Sequence, residues 1–183
     1  MEITKTLYVK NREGWRKWLE KNHKKAKEIW LIYFKKASGK TRIPYDDAVE
    51  EALCFGWIDS TVKKIDDEKI AQRFTPRRKG SPMSEINKER VRRLIRAGKM
   101  TGEGIIHAGN LNAKFKIAPD ILNEIKKNKD VWKNFQKFPL SYKRIRITFI
   151  EHYRNRSPEM FRKALDNFLK KTAQNKKFGM LSK

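Results

Sequence analysis

The sequence predicts an α+β fold: a small mixed sheet with flanking helices, followed by an all-α C-terminal module. Three observations carry that prediction. Before residue 76, segments of strand character alternate with segments of helical period. The stretch Tyr45–Ser60 (YDDAVEEALCFGWIDS) runs from an amphipathic helix through a glycine straight into a β-branched and aromatic strand. Beyond residue 117, every apolar repeat has helical spacing. The expected boundaries are residues 1–112 for an α+β domain and 117–175 for a helical module.

Thr4–Val9 is rich in β-formers and predicts a first strand. Asn11 then reads as an N-cap, with Glu13 in the first turn of a helix that carries Trp15, Trp18 and Leu19. Glu28–Lys35 (EIWLIYFK) is apolar at both alternating positions, the pattern of a strand covered on both sides and central in its sheet. Ser38–Lys40 is its turn.

In the organising stretch, Ala48, Val49, Ala52, Leu53 and Gly56 draw one apolar stripe along a helix, and Asp46, Asp47, Glu50 and Glu51 take the opposite face. Pro44 suits the first turn, the aspartates oppose the positive end of the helix dipole, and Gly56 can take the left-handed closing position. The acidic face is expected to stay solvated or to dock a basic partner, such as the chain's own C-terminal helices. Trp57–Lys64 and Lys69–Thr75, joined by Ile65–Glu68, then read as two antiparallel strands with a short connection.

Thr75–Ser84 is a loop by its Pro, Gly and Ser content, and Ser84 caps a helix over Glu85–Ala97. That helix turns Ile86, Val91, Leu94 and Ile95 inward and aligns Lys88, Arg92 and Arg96 outward. Thr101 opens a helix to about His107, and residues 109–116 read as an interdomain linker or long loop. In the C-terminal part, Pro119 starts a helix with Ile121, Leu122 and Ile125, and Asp130 caps another with Val131, Trp132 and Phe135. Ser141–Tyr153 follows, with Tyr142, Ile145, Phe149 and Tyr153 on its apolar side. Ser157, Pro158 and Glu159 start a last helix bearing Phe161, Ala164, Leu165, Phe168 and Leu169, and a polar, frayed tail is expected after Thr172.

Composition narrows the function classes. With 183 residues and twenty aromatics, the chain can fill one or two modest cores. Its formal charge is +24 and its pI about 10.2, an excess that attracts phosphate backbones or anionic membrane surfaces. Thirty lysines against fifteen arginines, scattered in ones and twos, also fit a compositional bias of the host or adaptation to heat. Cys54 is the sole cysteine, so an intrachain disulfide and Cys-rich zinc patterns are ruled out, and a reducing cytosol is the expected compartment. The N-terminal residues lack an apolar signal core. The longest unbroken apolar run, Ile29–Phe34, has six residues, far below a membrane span, so no transmembrane segment is expected.

The densest candidate site is Arg73 to Arg90. Arg73, Arg77, Arg78 and Lys79 precede a helix start at Ser84, whose free N–H groups and dipole favour anions, and guanidinium groups add bidentate phosphate geometry. Neither a phosphate-binding loop of the GxxxxGK[ST] type nor GxGxxG is present. Cys54 with His23, His107 or His152 is a conceivable nucleophile pair. However, a helix C-terminus raises a thiol pKa, and Cys54 beside the apolar stripe reads as a small hydrophobe. The histidines have no metal-ligand spacing, so no catalytic residue, metal ligand or cofactor is assigned.

Two runs, EEALCFGWIDS at Glu50–Ser60 and RFTPRRKGSPMSEINKERVRRLI at Arg73–Ile95, resemble the YdeI/OmpD-associated, or bacteriocin-protection, family. The matching positions are Glu51–Asp59 in the first run and Arg73, Phe74, Pro76, Arg77, Ser84, Asn87 and Arg90 in the second. Pro119–Lys171, with FPLSYKR at Phe138–Arg144, is similar to that family's C-terminal helical module. The resemblance implies a mixed α/β protein of undefined biochemistry, tied by name to peptide-toxin resistance and the cell envelope, and it supplies no catalytic residue.

The leading expectation is therefore non-enzymatic binding of a polyanion, nucleic acid first, through Arg77, Arg78, Lys79, Ser84, Arg92 and Arg96. Contact would be to the backbone, since no sequence-reading motif accompanies the charge. One alternative is an enzyme site or small-ligand pocket at Trp57, Asp59 and Arg73, where a carboxylate, a guanidinium and an aromatic wall would meet. Another, implied by the resemblance, is a stress-resistance factor acting through a protein partner. Oligomeric state cannot be read from the sequence.

Overall fold

The computed structural model describes residues 2–179 and carries a four-stranded mixed sheet with flanking helices, followed by a helical region. The strands are β1 (Thr6–Leu7), β2 (Ile29–Phe34), β3 (Trp57–Lys64) and β4 (Lys69–Pro76), in the order β1-β2-β4-β3. β1 runs parallel to β2, and the other pairs are antiparallel. β2 is thus an inner strand, and β3 and β4 form the hairpin that the sequence pattern predicts. The first strand is shorter than the β-prone run Thr4–Val9, because only Thr6 and Leu7 find partners on β2.

Helix α1 (Arg12–Asn22) begins at Asn11, whose side chain accepts the Gly14 N–H. Helix α2 (Tyr45–Cys54) follows Pro44 and leads into Gly56 at φ +73°, a left-handed conformation that glycine adopts without steric cost. Ile29 pairs with Phe74 and Leu31 with Gln72, so these residues share one sheet face. Trp15, Leu19, Ala48, Ala52 and Leu53 of the two helices pack onto that face with Leu31, Trp57 and Phe74. Each large side chain so buried contributes roughly 1.5–3 kcal/mol. The Trp15 indole N–H donates to the Ala48 carbonyl at 3.0 Å and ties α1 to α2.

Helix α2 is the hub. It touches α1, β3, α3 (Glu85–Arg96) and α4 (Gly102–Ala108), and Ala48 through Cys54 are all buried. The expectation of a solvated acidic face fails at Glu50 and Glu51, which are 6% and 2% exposed. α1 on one side and α3 on the other cover the face that an isolated helix would turn to water. The α4 contact is equally close: Thr101 reaches the Cys54 carbonyl with its backbone N–H at 3.0 Å and its hydroxyl at 2.7 Å. A Cβ on Gly104 would overlap that same carbonyl.

The described residues divide into two compact units, one ending at Leu111 and the other beginning at Asn112. The second contains α5 (Pro119–Lys127), α6 (Lys129–Lys137), α7 (Leu140–Glu151) and α8 (Pro158–Ala173). Its core is Ile121, Ile125, Val131, Phe135, Tyr142, Ile147, Ile150, Leu165 and Phe168. Asn128, not Asp130, caps α6, accepting the N–H groups of Asp130 and Val131. Asn134 of α6 donates to the Thr172 and Ala173 carbonyls at 3.0 and 3.2 Å, closing the end of α8.

The inward face of α7 is also not the expected one. Tyr142, Ile147 and Ile150 are buried, while Phe149 is 44% exposed. Counting Tyr142, Ile145, Phe149 and Tyr153 as a stripe selects a real helical face, but α8 packs about a quarter turn away from it. The frayed tail expected after Thr172 is described only to Gly179, and there Phe178 packs against the core and donates its N–H to the Tyr142 hydroxyl. Residues 180–183 lie outside the described residues. Among the described residues, no helix is long and apolar enough to cross a membrane.

Candidate nucleic-acid interface

The basic loop after β4 does not present its arginines together. Arg77 is 8% exposed: its backbone N–H donates to the Gly56 carbonyl, and its guanidinium donates to the carbonyls of His107 (3.3 Å) and Ser81 (2.9 Å) and to the Ser81 hydroxyl (3.1 Å). No carboxylate faces it among the described residues, and burial pulls its pKa down. The positive charge of Arg77 thus organises the loop from inside. Ser84 caps α3 by accepting the Asn87 N–H. Arg92 donates to the Leu111 carbonyl at 2.5 Å and pairs with Glu89 at 3.2 Å, and Arg96 lies 3.7 Å from Glu89. Of the six residues expected to bind an anion, Arg78, Lys79, Ser84 and Arg96 stay exposed, with the Ser84 hydroxyl engaged in the cap.

Four more arginines of this unit are spent on α2. Arg12 contacts Asp47 at 3.1 Å, Glu50 at 3.1 Å and Glu51; Arg16 contacts Glu51 at 2.8 Å; Arg90 contacts Asp46 at 2.5 Å; and Arg93 contacts Glu50. Burial works against the charges on Arg12 and Arg16, but hydrogen bonds and charge from Glu51 outweigh it, and both pKa values rise. The acidic face is docked by basic groups, as one sequence expectation had it, yet they come from α1 and α3.

The corner of Trp57, Asp59 and Arg73 does not form. Trp57 pairs with Pro76 and Asp59 with Phe74, whereas Arg73 pairs with Trp30, so Arg73 projects from the opposite face of the sheet. There Arg73 donates to Glu28, with Nε at 2.7 Å. Trp57 is 1% exposed and donates its indole N–H to the His23 carbonyl. Asp59 accepts the Tyr45 hydroxyl at 2.6 Å. The period of two along β4 separates the three residues, and a sequence without the register in hand cannot show which parity applies.

Cys54 is fully buried, and burial followed by the nearby Glu51 charge pushes its thiol up to about 11. Among the described residues, no three His, Cys, Asp or Glu side chains gather into a group that could hold a metal ion.

The second unit is the more densely basic of the two. Residues 112–183 carry 19 Lys and Arg against six Asp and Glu, net +13, while residues 1–111 carry 26 against 15, net +11. In the second unit, Lys129, Lys133 and Lys137 recur every four residues along the exposed face of α6, about 6 Å apart by helix rise. None of the three has a carboxylate at ion-pair distance among the described residues; four of the six acids there, Asp120, Glu124, Glu151 and Asp166, serve Lys127, Arg154 and Arg162. This row escaped sequence analysis because the run was read for its apolar stripe, although its spacing was legible.

Residues 7–107 match the model of a family described as a domain of unknown function. No curated protein and no solved structure matches the chain.

Proposed function

We propose, for this chain that belongs to the family Domain of unknown function (DUF8412), a non-enzymatic function: binding of a polyanion, nucleic acid first, through the basic surface of residues 112–179. One observation carries the reading. Arg12, Arg16, Arg90 and Arg93 of the first unit are engaged by the carboxylates of α2, whereas the Lys129, Lys133 and Lys137 row is exposed and without an ion pair among the described residues. A row of three exposed cations, with Asp130 the one acid between them in the sequence, suits a phosphate backbone, and such contacts carry no sequence information. The resemblance of Glu50–Ser60 and Arg73–Ile95 to YdeI/OmpD-associated proteins concerns segments that build the hub and the capped loop, so under this proposal they are scaffold.

The test is binding of DNA and RNA titrated across salt. Replacing Lys129, Lys133 and Lys137 by Gln should weaken binding and flatten the slope of log affinity against log salt by roughly 2–3, since each phosphate contact contributes about 0.7–0.9. Arg78→Gln/Lys79→Gln is the control and should do less. Equal losses from the two variants would make the attraction diffuse and remove the α6 face as a site. Absence of binding by the parent at physiological ionic strength would end the polyanion reading.

A further inference from the structure

The outer face of α7 carries an aromatic cluster that the second unit's core does not use. Phe149 is 44% exposed and meets the edge of Tyr153 at a centroid distance of 5.3 Å. The Arg146 guanidinium lies 4.9 Å from the Phe149 ring and 4.0 Å from the Phe178 ring, held between the two. One helical turn on, His152 packs edge-on against Tyr153, and Arg156 contacts the His152 Nε2 at 2.9 Å. The nearest acid in the chain, Glu151, is engaged by Arg154 at 2.6 Å. The surface is thus an exposed flat ring, a second ring at its edge, and cationic groups around both.

We propose that this face is a stacking platform for an unpaired nucleobase, which makes the partner single-stranded nucleic acid in preference to duplex. The inference rests on the polyanion reading and narrows it. A base in a duplex has both faces covered by its neighbours and cannot reach Phe149, whereas a single strand can lay a base on the ring while its phosphates meet the surrounding cations. Arg146, stacked behind Phe149, fixes the ring and adds positive charge under the π-face. A lipid surface fits less well, because membrane-surface helices bury a broad apolar face. Here the neighbours of Phe149 end in hydroxyl, imidazole and guanidinium groups.

Anisotropy of a labelled single-stranded oligothymidylate and of a duplex of equal length, each with the full chain at physiological ionic strength, tests the inference. The parent should favour the single strand. Phe149→Ala should lower single-strand affinity by roughly 5- to 150-fold, as loss of one stacked base does, and leave duplex affinity and the salt slope unchanged. Phe149→Trp should restore it. Thermal unfolding of Phe149→Ala at the parental temperature shows that the loss is local. Equal affinity of the parent for both oligonucleotides, with Phe149→Ala affecting neither, overturns the platform and leaves the polyanion reading standing. Binding of phosphatidylglycerol vesicles without either oligonucleotide overturns the platform and nucleic acid as the polyanion.

Discussion

The carboxylate of Glu51 is clasped between two arginines of a different helix, accepting the Arg12 Nε–H on one oxygen and Arg16 at 2.8 Å on the other. Glu51 is 2% exposed, so the pair of contacts holds a charge in the first unit's interior.

Replacing Glu51 by Ala leaves two guanidinium groups facing each other with no anion between them. Breaking a buried pair from one side costs about 3–5 kcal/mol. Arg12 and Arg16 keep 29% and 33% of their side chains in solvent, which lowers the expectation to roughly 2–4 kcal/mol. Urea unfolding measures it, and a loss below about 1 kcal/mol, the range of surface pairs, would contradict the clasp.

Arg77 and Arg78 are adjacent in sequence and opposite in role. Arg77→Ala removes three side-chain hydrogen bonds to His107 and Ser81 and should destabilise by roughly 2–3 kcal/mol, as loss of buried bonds to a charged group does. Arg78→Ala, at an exposed position, should shift stability by less than about 0.5 kcal/mol. Differential scanning fluorimetry of the two single variants separates them, and equal melting temperatures would refute the assignment.

The Cys54 thiol, buried and pushed up to about 11, should resist a thiol reagent at pH 8 in the folded protein and react at once in denaturant. Rapid labelling of the native chain, at a rate independent of unfolding, would show an accessible cysteine.

Glu28 accepts hydrogen bonds from Thr4 and Arg73, which hold its carboxyl below the ordinary Glu range. A depressed folded-state pKa gives stability that is present above the unfolded value of about 4.3 and is lost as pH falls through the folded value. Glu28→Gln should therefore be less stable than the parent at neutral pH, and the gap should close below about pH 4. In double-mutant cycles, Arg73→Gln should couple to Glu28→Gln and add independently to Asp59→Asn, which sits across the sheet. Coupling of Arg73 to Asp59 instead would restore the Trp57, Asp59 and Arg73 corner.

Sequence alone determined what depends on neighbours in the chain. Asn11, Ser84, Thr101 and Ser157 cap the helices they precede, because a cap is a bond between residues three apart. The hairpin of β3 and β4 and the left-handed Gly56 were legible for the same reason. Only the tertiary structure decided how faces were used. Whether Glu50 and Glu51 meet water or Arg12 and Arg93 depends on helices 30 or more residues away in sequence. Whether Arg73 joins Asp59 or Glu28 depends on strand parity and on β2. Which side of α7 is inward, and so whether Phe149 is core or surface, depends on where α8 lies, since a helix carries several apolar faces and packing selects one.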